Sequence, residues 1–434
     1  MDPLSTGYIG LGIMCFLIIL GMPIAFATAL IGIVGIAGLK GWGTAFNIAG
    51  YLPHGIVAHY SLTVIPLFII MGYFAFYAGL TSKVFHAARQ WFGHMSGGLA
   101  IATVYASAGF AACTGSSVAA AAVMARMAIP EMLMYNYDRK LATGVVAAGG
   151  TIAVLIPPSV PMVIYGIITE QSIGLLLIAG ILPGILSAVL FALMIQGRVK
   201  LNPSLAPALP AASMKSRFLS LKDNWGVLVI IVLIIGGIYT GIFTPTEAGG
   251  AGATATFLMA LFSKKLNWGN FKSSLLETGR ATVMIFSVIV GILIFIRFLA
   301  LSGVPVALSK AALSFPVHPM VIMAGILAIF VFLGMFLDVI GMMLLIIPII
   351  FPVVVGLGFD PIWFGVIVVK MGEICLITPP VGLNVYVVNS VTPGIPLQDI
   401  FMGIMPFLLT EFVTLVILVS FPAISLFLPG LMIG

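Results

Sequence analysis

From Pro3 to Leu39 the chain carries no Asp, Glu, Lys or Arg, and the same holds from Gln90 to Ala125. About 20 apolar residues already cross the hydrocarbon core of a bilayer as a helix, so windows of this length and purity are membrane helices. Charged residues make up 7% of the chain and hydrophobic ones 62%, against about 25% charged in a soluble protein. A cytosolic globular domain, a disordered chain and nucleic-acid binding each need abundant surface charge, and all three are excluded. The expectation is an all-α polytopic membrane protein embedded in the lipid bilayer.

The motif inventory removes further classes. Cys15, Cys113 and Cys375 lie far apart inside apolar segments, without a Cys-x-x-Cys pair, and read as small packing residues. The five histidines show no His-Glu-x-x-His spacing and there is no Walker loop, so neither a metalloprotease nor an ATPase is supported. Asp2 occupies the place where a cleaved signal peptide would be basic, and Lys40 is the first Lys or Arg. The first apolar segment is therefore expected to stay in the mature protein.

Comparing the chain with itself reveals a repeat. An offset of 222 positions maps Pro23 onto Pro245, Pro130 onto Pro352, Asp138 onto Asp360, Gly150 onto Gly372, and Pro157-Pro158 onto Pro379-Pro380. One inserted residue later, Gly180-Ile181 and Pro183 match Gly403-Ile404 and Pro406. The identities fall on Gly and Pro, which fix backbone conformation, and repeats of this kind recur in transporters. The expected division is a first repeat over 1–197, a connector over 198–224 with Pro203, Pro207 and Pro210, and a second repeat over 225–434.

Each repeat parses alike. Two spans come first, broken in the first repeat at Met22-Pro23, then an amphipathic stretch (43–58 or 264–277), then a third span. A long apolar segment interrupted at its middle follows: 97–130 with Thr114-Gly115-Ser116-Ser117, and 317–357 with Asp338 and Gly341. Last come a span broken at a Pro-Pro pair (141–168 and 361–392) and a final span. If the interrupted segments are re-entrant hairpins, each repeat has five full spans, and an odd number inverts the second repeat relative to the first. Charge supports that scheme. With the connector cytoplasmic, the loops 81–96, 126–140, 198–223 and 264–280 all face the cytoplasm and hold 14 of the 18 Lys and Arg, as the positive-inside rule requires. Both termini then lie outside, the first hairpin opens inward and the second outward.

Irregular backbone persists at membrane depth only where it lines a protein-enclosed cavity. The four interruptions are therefore the candidate site. A residue before proline is pushed out of the α region, so Ile156 and Thr378 are expected to be extended. The second proline of each pair suits the first turn of a new helix. Amides at such helix starts, together with Ser116, Ser117, Pro157, Pro158, Ser159, Thr378, Pro379 and Pro380, form the expected cradle for a carboxylate. Neutral oxygens at Thr114, Ser116, Ser117, Thr378 and Asn384, with backbone around Gly149, Gly150, Gly341 and Gly372, suit Na⁺. Small residues at such points also let helices approach closely. Asp338 sits in an otherwise uncharged run from Ala311 to Phe359. A mid-span carboxylate costs about 2.5–3.5 kcal/mol on the insertion scale, so it is expected to have a partner: a cation, Arg297, or a proton. Lys370 and Glu373, three apart, are expected to pair on one helix face. Glu247 reads as a first-turn acid, Arg126 as a cytoplasmic anchor, and Glu170 and Glu411 as interfacial. An intramembrane enzyme or a channel remains the alternative class, without a catalytic constellation beyond Ser116-Ser117 to support it.

Several segments together resemble one family. Gly115-Ser116-Ser117-Val118-Ala119, Ala148-Gly149-Gly150-Thr151, Leu155-Ile156-Pro157-Pro158-Ser159, Tyr165-Gly166 and Ala179-Gly180-Ile181-Leu182-Pro183-Gly184 resemble the large membrane subunit of tripartite ATP-independent periplasmic (TRAP) transporters. Thr244-Pro245-Thr246-Glu247-Ala248, Gly334-Met335-Phe336-Leu337-Asp338 and Ile377-Thr378-Pro379-Pro380-Val381-Gly382-Leu383-Asn384 resemble it as well. The resemblance covers essentially the whole chain. It implies an elevator-type symporter of the bacterial inner membrane that couples Na⁺ to an organic acid, such as a C4-dicarboxylate or a sugar acid. It also implies two partners on separate chains, a small four-helix membrane subunit and a periplasmic substrate-binding protein. A proton-coupled carrier of the same fold is the nearest alternative.

Overall fold

The computed structural model describes residues 2–114, 117–335 and 337–432, and every regular element among them is helical. The helix starts follow local chemistry. Asp2, Asp138, Asp360, Ser172 and Asn267 each cap a helix by accepting the backbone N–H three residues on, which satisfies one of the four orphan donors of a helix start. Prolines stand in the first turn at Pro3, Pro245, Pro319 and Pro361, where the missing N–H costs nothing. Thr244 and Glu247 close a reciprocal capping box.

By length and apolarity, six helices among the described residues are able to cross a membrane, or seven if the bent pair Met214–Asp223 and Trp225–Tyr239 is one span. Others are shorter, as in Pro3–Ile19 followed by Ile24–Lys40, or Ala423–Met432 after the span Leu397–Ser420. Each segment expected to be interrupted is a pair of helices, Gly98–Thr114 with Ser117–Met134, and Pro319–Gly334 with Val339–Gly356. Each segment expected to break at Pro-Pro does so: Arg139–Thr151 gives way to Val160–Thr169, and Pro361–Ile377 to Leu383–Val391.

Three local expectations are corrected. The segment 81–96 is no loop, since Leu80–Phe92 is a helix lying against Gly98–Thr114 and Met214–Asp223. The connector contains the helix Met214–Asp223, and Arg198 and Lys200 belong to the end of Ile181–Leu201. The amphipathic stretch 264–277 is not a separate element. Residues from Trp268 onward are the first turns of a single 35-residue helix to Ser302, about 52 Å long at 1.5 Å per residue. In the first half the matching stretch is a separate helix, Trp42–Val57, because the chain breaks before Val64–Tyr77.

The helices pack in two groups. Pro3–Ile19, Ile24–Lys40, Trp42–Val57, Val64–Tyr77, Pro245–Phe262 and Trp268–Ser302 contact chiefly one another. Ile24–Lys40 presses on the long helix at Gly32, where a methyl group would meet the Phe295 backbone N at 2.8 Å. The second group joins the expected hairpins, the broken helices, Ile173–Ala179, Ile181–Leu201 and Leu397–Ser420. Val339–Gly356, which packs on both Trp268–Ser302 and Val160–Thr169, is one of the elements connecting the groups.

Candidate functional site

The two Pro-Pro breaks are built alike. Pro157-Pro158 and Pro379-Pro380 both contain a cis peptide bond. Thr378 adopts the extended conformation expected before proline, φ −82° and ψ 130°. The second proline does not open the new helix: regular turns resume at Val160, capped by Ser159, and at Leu383, after Gly382 in the left-handed region with φ 54°. Both proline pairs lie in the gap between the helices.

The breaks differ in access. Pro157, Pro158 and Ser159 are buried. The Ser159 hydroxyl donates to the Val154 carbonyl and accepts from the Met162 N–H at 3.3 Å, so Ser159 is spent on its own turn. Thr378 is buried and donates to the Ile374 carbonyl at 2.6 Å, whereas Pro380 and Val381 are exposed and Pro379 is half-buried. The open break is the second.

The other candidate residues fall into two clusters. In the first, Asn384 reaches from the second broken helix into the first half, where its Nδ2 donates to Ser117 Oγ at 2.7 Å and to the Ala147 carbonyl at 3.1 Å. Gly150 completes this cluster, because a methyl group there would meet the Ser117 carbonyl oxygen and Ala121 Cβ at 3.0 Å. The Asn384 Oδ1 is buried without a hydrogen-bond partner among the described residues. An acceptor oxygen left bare in the interior costs about 1–3 kcal/mol, and beside Ser117 it is a donor set suited to a small hard cation. Gly149 faces the opposite way, onto Ser107 of Gly98–Thr114, at 2.8 Å from the place a methyl group would take. Ser107 Oγ is another buried oxygen without a partner among the described residues, and nothing in its spacing had marked it. Ser116 and Gly115, with the Thr114 side chain, lie outside the described residues.

The second cluster is Asp338, Gly341 and Gly372. Asp338 caps Val339–Gly356 by accepting the Gly341 N–H at 3.3 Å. A methyl group on Gly341 would lie 2.8 Å from Asp338 Oδ1, so the glycine keeps the carboxylate uncrowded. Gly372 lies against Val339, a methyl group there falling 2.5 Å from Cγ1; its bareness serves that close approach. Residues 117 and 339 are equivalent in the repeat, as are 150 and 372, so both halves place the same glycine against the start of the same helix. Arg297 is exposed and forms no ion pair with Asp338 among the described residues. No hydrogen bond joins Asp338 to Ser117 among the described residues either.

One expected surface group is internal. Glu411 is not interfacial but fully buried, and with Lys370 and Glu373 it forms an ionic cluster at 0% exposure. The Lys370–Glu373 pair is present at 2.8 Å. Glu411 escaped the sequence reading because its cation stands on another helix, 41 positions away.

The model of a family described as "Tripartite ATP-independent periplasmic transporter, DctM component" matches residues 11–424. A C4-dicarboxylate TRAP transporter large permease protein of Pseudomonas aeruginosa is 37% identical over 376 residues, 86% of this chain and 87% of that one. A sialic acid TRAP transporter large permease protein of Vibrio cholerae is 33% identical over 419 residues, 96% of this chain and 97% of that one. Among solved structures, the Alcanivorax borkumensis YdaH transporter, whose topology is described as unusual, aligns with a TM-score of 0.55 at 14% identity, covering 88% of this chain and 89% of that one. The last similarity concerns the fold alone.

Proposed function

The chain belongs to the DctM-component family of tripartite ATP-independent periplasmic transporters, a family of multi-pass membrane permeases for organic acids and not of enzymes, and from that we propose that it is a Na⁺-coupled symporter of an organic anion. The observation that carries the coupling is Asn384, whose amide holds Ser117 while its own buried carbonyl oxygen has no partner among the described residues. Na⁺ as co-transported cargo takes Asn384 Oδ1 and Ser117 Oγ with nearby backbone oxygens. The Asp338–Gly341 turn offers a second cation position carrying a full negative charge.

The substrate carboxylate docks at the open second break, at Thr378, Pro379 and Pro380, where the amides at the start of Leu383–Val391 face it. The relatives named for C4-dicarboxylates and for sialic acid both handle carboxylates, which supports a substrate of that class. Bound cations offset the anion's charge, so an inward sodium gradient drives accumulation. The helix group that carries the breaks moves as the elevator against the group built on the long helix. Both termini lie in the periplasm. The anion arrives on a periplasmic binding protein, and a small membrane subunit of about four helices braces the fixed group.

The test is uptake of labelled carboxylates into proteoliposomes containing the permease, its small subunit and its binding protein. Accumulation should require both partner chains and an inward Na⁺ gradient, and should saturate. Uptake that needs no partner chain would overturn the tripartite reading. Uptake driven by a pH gradient with no Na⁺ dependence would replace Na⁺ by H⁺ as the coupling ion.

A further inference from the structure

The connector helix Met214–Asp223 turns its polar side inward and its apolar side outward. Inward it is tied to Leu80–Phe92. Ser216 Oγ donates to Gln90 Oε1 at 3.2 Å, and Trp91 Nε1 donates to the Arg217 carbonyl at 3.2 Å. Asn224 Nδ2, just past the helix, donates to the Lys83 carbonyl at 3.0 Å. Outward, Met214, Phe218, Leu221 and Trp225 follow at the spacing of a single helix face, and all are exposed, by 42% to 60%. A contiguous exposed apolar stripe marks a surface that something covers.

Charge and position restrict what covers it. Lys215 and Lys222, both exposed, border the stripe on one side, and the half-buried Arg217 borders it on the other. None of the three joins an ion pair among the described residues. Arg217 Nη2 donates to His94 Nδ1 at 3.2 Å, a contact that leaves its charge uncompensated. Leu80–Phe92, on which the helix rests, has no acidic residue, and the connector 198–224 sets five Lys and Arg against Asp223 alone. Through Asn224 the helix leads into the apolar Trp225–Tyr239, with a bend of 54° between the two. Its charges keep it out of hydrocarbon, and its apolar stripe is unfavourable in water. Both demands are met in the headgroup layer, where apolar side chains sink and lysines reach back to the phosphates.

We propose that Met214–Asp223 is an interfacial helix that recruits anionic phospholipid, with Lys215, Lys222 and Arg217 drawing lipid phosphates to the two edges of the buried stripe. A zwitterionic headgroup brings a cation beside its phosphate, so three unpaired positive charges select a headgroup of net negative charge. A second copy of this chain would bring the same excess of positive charge to the contact and is the poorer occupant. The helix stands between the two halves of the chain, and lipid held there pins that junction to the membrane plane. Neither the coupling ion nor the transported substrate enters the measurement that tests it.

Tryptophan fluorescence of the full-length chain in phosphatidylcholine nanodiscs reads the lipid beside Trp225 once the signal of Trp225→Phe is subtracted. A minor fraction of phosphatidylglycerol with brominated acyl chains should quench that share about twofold or more beyond the same fraction of brominated phosphatidylcholine. High salt should shrink the difference, because exposed charges are screened. Lys215→Gln combined with Lys222→Gln, both at exposed positions, should reduce the preference, and adding Arg217→Gln should abolish it while quenching by brominated phosphatidylcholine persists. Equal quenching by the two lipids in the unaltered protein would overturn the proposal, as would a preference that survives all three substitutions. Trp225 quenched by neither lipid would overturn it too, since protein would then cover the stripe. If the triple variant does not fold, the double variant decides, and an undiminished preference there counts against the proposal.

Discussion

Asn384 has two separable duties, one in stability and one in the proposed ion site. Replacing it by Leu keeps the volume and strips both hydrogen bonds, leaving Ser117 Oγ and the Ala147 carbonyl without that donor; the cost should be about 1–3 kcal/mol, read as a lower melting temperature. Half-saturation of uptake by Na⁺ should rise by more than that destabilisation explains. Asp338 separates the same two effects by choice of substitution. Asn retains an oxygen for the Gly341 N–H, so Asp338→Asn should leave melting nearly unchanged while weakening Na⁺ dependence. Asp338→Ala also removes the cap, at about 1 kcal/mol. Glu170→Gln, at an exposed helix end, is the matched control and should alter neither; an Asp338→Asn protein with unaltered Na⁺ dependence would remove Asp338 from coupling. At this scale the sequence marked Ser117, Asn384 and Asp338 because each interrupts an apolar run. It was silent on Ser107, an ordinary small residue within a helix, and misplaced Glu411, whose cation stands on another helix.

Helices were legible wherever apolarity or proline announced them, and illegible where charge concealed them. Leu80–Phe92 carries Lys83 and Arg89 and was read as a loop; yet Leu80, Phe85, Ala87 and Ala88 are buried, and that one-sided burial is the amphipathic pattern of a surface helix. The fusion of 268–277 with the following span was hidden because no residue there stops a helix, while the first-half counterpart is interrupted near His59. One close helix contact involves Gly144 and Gly403, of which the repeat pairs Gly403 with Gly180. A methyl group on Gly403 would strike the Lys140 carbonyl, and one on Gly144 the Gly403 carbonyl. Gly403→Ala must therefore push Arg139–Thr151 and Leu397–Ser420 apart, costing about 1–3 kcal/mol as overpacking. Gly250→Ala, where nothing lies within 4 Å, should have no such effect on melting temperature, and equal losses for the two would show that the contact is not tight.

For the whole molecule, the charge distribution makes a claim about sidedness that labelling can test. Cysteines introduced by Ser213→Cys and Pro305→Cys should react with an impermeant maleimide from opposite faces of the membrane, Ser213→Cys from the cytoplasm. Labelling of both from one face would end the inverted arrangement. One of the seams between the halves runs along Arg139–Thr151 and Leu397–Ser420. Arg139 meets Asp399, Gly144 meets Gly403 and Thr151 meets Glu411, so two helices run side by side in the same direction with an offset of 259 or 260 positions. That offset has a consequence for biosynthesis. At about 5–20 residues per second, Arg139–Thr151 must wait roughly 13–50 s after its own synthesis before the helix that covers it leaves the ribosome. During the wait its Gly144 side lacks the neighbour that Gly403 supplies, and a nascent chain arrested before Leu397 would leave that side uncovered. Such chains should be the preferred substrates of the membrane's quality-control proteases, and full-length chains should become resistant only once Leu397–Ser420 has entered the bilayer.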